Sequence, residues 1–271
     1  MRETDLIDRI RRLAGPSPLV RGIGDDCAIL RPRANEDLVF TSDFTLEDRH
    51  FTRKTHTAAD IGYLALARSL SDIAAMGAEP VFCLVSLAMP PGFAVDSFFK
   101  SLLALARRQK LSLAGGDLSR FDKVLADVIC CGRVPRGKAM LRSAAKPGDL
   151  LYVTGKLGRP RHRPQPRIAA GIMLRRLGVK AAMDLSDGLS LDLTRLCRES
   201  NVGAELSFIP IARGASLEQA LHGGEDYELL FTAPPKLKIS LGTEIGRITR
   251  SKRILLNGRP LEPKGFDHFA K

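Results

Sequence analysis

The stretch AADIGYLALARSLSDIAAMGAEPVFCLVSLAM (58–89) decides the fold class. Ile61, Leu64, Ala65, Leu70, Ile73 and Ala74 recur at helical spacing, so 58–76 is predicted as a helix. Gly77 is its expected stop, because a left-handed C-terminal residue costs glycine little. Residues 81–89 form the longest apolar stretch and read as a buried strand. Working outward, 38–42 is a strand running into a polar turn. Residues 95–109 form a second helix with Phe98, Phe99, Leu102, Leu103, Leu105 and Ala106 inward. Residues 112–115 lead into a turn, and 124–133 is a strand. The second half repeats the theme, with strands at 150–154, 181–184, 205–208 and 227–232. Its helices fall at 168–177, 189–199 and 217–221. Strands and helices mixed in both halves imply two α/β domains.

Polar, turn-rich punctuation at 135–138 and 146–149 puts a domain boundary near 140, giving 1–140 and 141–271. The segment RPRHRPQPR (159–167) has no apolar periodicity and reads as an exposed loop. The start, MRETDLIDRIRRLA, is an amphipathic helix with Leu6, Ile7, Ile10 and Leu13 on one face, not an export signal.

The chain has 271 residues and a formal net charge of +12, with 44% hydrophobic residues, so it is globular rather than disordered. No apolar run is long enough to cross a membrane as a helix. Five cysteines, odd in number and without a CxxC pair, suit reduced core thiols in the cytoplasm. The positive charge suits either nucleic acid or a small anionic substrate. With no Trp, three Tyr and scattered basic residues, a stacking platform for nucleic acid is poorly supported.

The chemistry lies in aspartates at the ends of apolar segments, most of them beside Gly, Ser or Thr. They are GIGDDCA (22–28), TSD (41–43), LSD (70–72), GGD (115–117) and DLSDG (184–188), with GGEDYEL (223–229) adding Glu225 and Asp226. Each alone is explicable as a turn or helix cap. Together they are not, because buried carboxylates must be paired, hydrogen-bonded or metal-bound. No neighbouring Lys or Arg stands ready to pair so many acids. Convergence on hard, oxygen-loving cations such as Mg²⁺ is expected, several ions serving a phosphate-rich substrate. The adjacent glycines let backbone N–H groups approach phosphate oxygens. There is no GxxxxGK[ST], protein-kinase or GxGxxG signature.

GIGDDCAIL, TSDFTLEDRHF, LALARSLSDIAAMGAEP, GGDLS, RSAAKPGDLLYVTGKLG, MDLSDGLSLDL and GGEDYELLFT, in this order, closely resemble the thiamine-monophosphate kinase family. The resemblance runs from about residue 20 to KGFDHF (264–269). It implies the two-domain α/β (α+β) fold of the aminoimidazole-ribonucleotide synthetase superfamily, each domain a mixed sheet with helices packed on it. It also implies a homodimer joined through the N-terminal domains. The implied activity is a kinase (phosphotransferase) that uses ATP to convert thiamine monophosphate to thiamine diphosphate.

The resemblance also assigns roles residue by residue. Asp26, Thr41, Ser42, Asp43, Asp72, Asp117, Asp184 and Asp187 match metal-binding positions. Gly116, Asp117, Arg142 and Ser186 match ATP contacts. His50 and Glu225 match substrate contacts. No general base or covalent nucleophile is expected. Three departures stand out. GKLG (155–158) passes almost directly into the basic loop, as if one helix were missing. The stretch after GGEDYELLFT is short. Pro263 stands where relatives often carry an aromatic residue. The competing expectations are a purine-precursor cyclising synthetase of the same superfamily, a basic nucleic-acid-binding protein, and a non-catalytic relative.

Overall fold

A computed structural model describes residues 3–15, 19, 23, 27, 28 and 30–266. It divides into two compact units. The first holds 1–73 and 79–136, the second 74–78 and 137–271.

The first unit is built on four strands in the order β1-β4-β2-β3: β1 (Glu36–Leu46), β2 (Glu79–Met89), β3 (Ser112–Arg120) and β4 (Leu125–Pro135). β4 runs antiparallel to β1 and β2, and β3 runs parallel to β2. The parallel pair needs a crossover. That crossover is α3 (Val95–Arg108), whose apolar stripe buries Phe98, Phe99, Leu102 and Leu105. α1 (Glu3–Ala14) buries Leu6 and Ile10. α2 (Ala58–Ala75) keeps Ile61, Leu66 and Leu70 fully inside. Each such side chain contributes about 1.5–3 kcal/mol by leaving water. α2 and α3 touch at Gly62, where a Cβ would stand 2.2 Å from the Phe98 carbonyl oxygen.

One sheet face carries the buried row Cys83, Val85 and Leu87 of β2. Opposite them in register stand Cys130, Val128 and Ala126 of β4, then Thr41, Asp43 and Thr45 of β1. The other face bears Phe40, Ser42 and Phe44 of β1, all exposed. A strand's period of two therefore sends Asp43 inward and Ser42 outward.

The second unit has a seven-stranded sheet in the order β11-β10-β7-β9-β5-β8-β6. Its strands are β5 (Leu150–Val153), β6 (Ala181–Leu185), β7 (Gly203–Leu206), β8 (Glu228–Ala233), β9 (Thr243–Thr249), β10 (Ile254–Leu256) and β11 (Arg259–Pro260). Its helices are α4 (Ile168–Leu177), α5 (Leu189–Ser200) and α6 (Leu217–His222). Asn201, left-handed at φ +56°, ends α5 and returns its N–H to the Arg198 and Cys197 carbonyls. Ser216 and Gln219 form a reciprocal cap at the start of α6. The core gathers Leu151, Met183, Leu193, Leu196, Leu230 and Ile245.

Two sequence expectations are corrected. Residues 116–120 extend β3 rather than forming a turn, since they pair with β2 through Met89. The strand expected at 205–208 lies at Gly203–Leu206, and three further strands follow β8. Those three are short or bounded by charged residues, so their alternation is faint. Cys83, Cys130, Cys131 and Cys197 are buried free thiols, and burial pushes Cys83 up to about 12.

Candidate active site

In the first unit, the α2 residues Ser69 and Asp72 meet the inward row of β1. Thr41 donates its hydroxyl to Asp72, and Ser69 donates to the Val128 carbonyl at 2.8 Å. Asp43 is raised to about 6, first by loss of water and then by the neighbouring Asp72 charge. Arg68 and a hydrogen bond with Ser69 pull it back only in part. Its Oδ2 is buried and has no hydrogen-bond partner. Asp43 is thus a desolvated acid beside a second acid, with one lone oxygen.

Ser42 takes the opposite face, where its hydroxyl donates to Asp127 at 2.8 Å. The row Phe44, Asp127, Ser86 and Asp117 crosses the sheet there. The first-unit positions therefore split between two faces. Thr41, Asp43 and Asp72 come together, while Ser42 and the exposed Asp117 lie on the far side of the strands. Asp127, mid-strand among apolar residues, was legible only from the register. Gly116 is obligatory, because at φ +151° a Cβ would sit 1.9 Å from the Val85 carbonyl oxygen. His50 is 9% exposed, and its Nδ1 accepts the Leu46 N–H at 2.9 Å, closing the turn after β1. Asp26 lies outside the described residues.

In the second unit, β6 delivers the DLSDG turn and the GGEDYE turn runs beside it. The Glu225 N–H donates to the Ser186 carbonyl at 2.7 Å and the Tyr227 N–H to Leu185 at 2.8 Å. Asp184 is buried. The fully buried Asp192 accepts the Ser186 and Asp187 N–H groups at 3.1 and 3.0 Å. Arg195 Nη1 bridges Asp187 at 2.5 Å and Asp192 at 2.7 Å. The expectation that these acids lack a basic partner therefore fails at Asp187. Its partner lies eight residues on, brought round by α5. The signal was the Asp192–Arg195 spacing of three on that helix. The segment before the C-terminus is tied to the same turn. Lys264 N–H donates to the Ser190 hydroxyl at 3.1 Å, and the Phe266 N–H donates to the Asp187 carbonyl at 3.0 Å. Arg142 opens a short 3₁₀ turn (Arg142–Ala144), and its carbonyl accepts from Ser200 at 2.6 Å.

Among the described residues, no three His, Cys, Asp or Glu side chains gather closely enough to cage an ion by themselves. The lone Asp43 oxygen beside Asp72 and the Thr41 hydroxyl nonetheless fits a hard cation. Mg²⁺ takes one or two carboxylates and completes its shell with water and substrate phosphates.

Comparison with known proteins decides the family. Residues 24–134 match the N-terminal domain of AIR synthase related proteins. A thiamine-monophosphate kinase of Escherichia coli (strain K12) is 37% identical over 301 residues, covering 92% of each chain. This chain belongs to the thiamine-monophosphate kinase family. The crystal structure of thiamine-monophosphate kinase from Stenotrophomonas maltophilia K279a superposes with a TM-score of 0.85 at 34% identity. It covers 96% of this chain and 98% of that one. AaThiL complexed with AMPPCP and TMP superposes at 0.80 and 30% identity, over 99% of both chains. The fold is accordingly the two-domain AIR synthase-like fold that the motifs imply. The 301 aligned positions exceed the 271 residues here, so the Escherichia coli thiamine-monophosphate kinase carries segments that this chain lacks.

Asp226 gives a pH test within this family member. Burial raises it to about 7, against the hydrogen bonds from the Gly158 and Arg159 N–H groups. The folded state thus holds this proton more tightly than the unfolded chain, whose value is 3.8. Its contribution is intact below about 4 and is lost as pH rises toward 7. Asp226→Asn should remove that loss. Relative to wild type, its unfolding free energy from urea titration should gain between pH 5 and pH 8, on the order of 1–2 kcal/mol. Parallel midpoint curves for the two proteins would sink the assignment.

Proposed function

We propose that this chain transfers the γ-phosphoryl group of ATP to thiamine monophosphate, giving thiamine diphosphate and ADP. The observation that best supports this is the superposition, over 99% of both chains, on AaThiL complexed with AMPPCP and TMP. An oxygen of the acceptor phosphate attacks the γ-phosphorus while the bond to the ADP oxygen breaks. The second pKa of a phosphate monoester is about 6, so the acceptor is already largely dianionic near neutrality. No general base is needed, and no phosphoenzyme forms.

Asp43 and Asp72 in the first unit, and Asp184 and Asp187 in the second, are the carboxylates we assign to Mg²⁺. Family resemblance also implies Asp26, Thr41, Ser42 and Asp117, of which Ser42 and Asp117 lie on the opposite sheet face from Asp43. Bound there, Mg²⁺ would neutralise charge on the transferring phosphates. The protein's own part is positioning. Asp192 and Arg195 fix the turn that presents Ser186 and Asp187. Gly116 and Arg142 are assigned to the nucleotide by family resemblance, Arg142 answering its phosphate charge. His50 and Glu225 are assigned to the acceptor. The buried free thiols support a reducing, cytoplasmic setting. Among the described residues no helix is long and apolar enough to cross a membrane.

The decisive assay incubates purified protein with ATP and thiamine monophosphate and follows thiamine diphosphate by chromatography, with Mg²⁺ and with EDTA. Mg²⁺-dependent product is expected. Turnover only with a purine-precursor phosphate ester would overturn the reading.

We assign the homodimer to the open face of the first unit's sheet. Phe40 and Phe44 are 61% and 55% exposed there, a costly display for a monomer. Replacing both by Ser should convert dimer to monomer in sedimentation at micromolar concentration. A wild-type protein that sediments as a monomer would remove the assignment.

A further inference from the structure

A small pocket in the second unit is lined by Lys156, Arg159, Arg161, Arg167, Asp226 and Glu228. Its two acids are already engaged. Glu228 accepts from Arg167 Nε at 2.7 Å and from the Thr154 hydroxyl at 2.6 Å. Asp226 Oδ1 accepts the Gly158 N–H at 2.8 Å. Among the described residues, the cations other than Arg167 form no ion pair with an acid. Arg159 donates to the Arg213 carbonyl at 3.3 Å, and among the described residues no ion pair or hydrogen bond holds the Lys156 or Arg161 side chain.

We propose that this pocket is a metal-independent binding site for a phosphate or phosphate-monoester anion. Guanidinium forks and an ammonium around one small space match the oxygens of a tetrahedral anion. Asp226 adds a second, independent feature. Its Oδ2 is buried without a hydrogen-bond partner. Raised to about 7, its carboxyl holds a proton on the acid side of neutrality and can donate it there to an anion oxygen. The backbone is set for this placement. Glu225 and Tyr227, on either side of Asp226, are both left-handed, at φ +55° and +50°. Such conformations in non-glycine residues persist where the surroundings impose them, and they concentrate at ligand sites. The site arises where GKLG runs straight into the basic loop, and it uses none of the aspartates assigned to Mg²⁺.

The test is calorimetric titration of the full-length protein in EDTA and without nucleotide, so it is independent of kinase activity. The ligands are inorganic phosphate, phenyl phosphate and a single-stranded DNA oligonucleotide. Saturable one-site binding of phosphate is expected, with amide NMR shifts centred on Gly158, Arg159 and Asp226. Tighter binding of phenyl phosphate identifies a monoester as the ligand; equal binding identifies the free anion. K156Q/R161Q should weaken binding about tenfold or more. K236Q/K238Q, which removes the same charge from another exposed loop, should change it less than about twofold. Equal losses in both variants, no saturation by wild type, or the oligonucleotide alone binding with a steep salt slope would each overturn the proposal.

Discussion

Asp43→Asn is expected to lower kcat about 10³-fold and, in EDTA, to raise the thermal midpoint by a few degrees. Both effects come from the same atoms. Asp43 is pushed to about 6 by burial and by Asp72, so its ionised form is held at a cost in the folded chain. Asparagine keeps the shape and removes the charge. Its amide can donate to Asp72, turning a repulsion into a hydrogen bond. Stability should therefore rise where function falls, the signature of a carboxylate kept for chemistry. A second measurement separates this from simple repacking. Mg²⁺ with ATP should raise the wild-type midpoint through binding to the folded state, and this gain should shrink or vanish in the variant. Asp127→Asn is the comparison, because Asp127 already has the Ser42 hydroxyl as partner on the other sheet face. Its effect should be well under that of Asp43→Asn. A variant at Asp43 that keeps activity within about tenfold of wild type, or that melts lower in EDTA, would remove Asp43 from the site.

The elements legible in the sequence were those with a strong period. α2, α3, α4 and α5 announced themselves through apolar residues three and four apart, and β2 through its unbroken apolar run. What stayed hidden depends on contacts between distant segments. β9 takes its place from pairing with β5 and β7, β10 from pairing with β7, and β11 from pairing with β10, and their own residues carry little alternation. The motif residues were readable as types, but their sides were not. TSD looks like one cluster in a string of letters. In the sheet, Thr41 and Asp43 turn toward α2 while Ser42 turns to the open face, because β1 is a continuous strand through all three. In the same way, a search for cations next to acids in the sequence passes over Arg195. One helical turn carries it back to Asp192, and the preceding loop brings Asp187 to the same guanidinium.

Arg167→Ala is expected to destabilise the second unit by about 3–5 kcal/mol, the cost of abandoning a buried charge. Glu228 opens β8 and is 7% exposed. Arg167, just before α4, clamps both of its oxygens, through Nε at 2.7 Å and through Nη2. The Thr154 hydroxyl supplies a further bond at 2.6 Å, and Thr154 in turn accepts the Leu229 N–H at 2.9 Å. No space exists for rearrangement on the other side, since a Cβ on Gly155 would lie 2.2 Å from Glu228 Oε1. Removing the guanidinium leaves a largely buried carboxylate with the Thr154 hydroxyl as its remaining direct bond. The distinction between an isolated pair and a stranded charge is open to measurement. Glu228→Gln alone should cost less than Arg167→Ala, because an exposed edge of Arg167 can return to solvent. The double variant Arg167→Met, Glu228→Gln should recover a large part of the loss, since no charge is left buried. Urea midpoints, with hydrogen exchange at the amides of β5 and β8, read these differences within the second unit. A loss under about 1 kcal/mol for Arg167→Ala would mean that the pair behaves as a surface ion pair. The basic loop would then depend more on the packing of its own buried Pro164 and Pro166 and on the Arg159 bond to the Arg213 carbonyl.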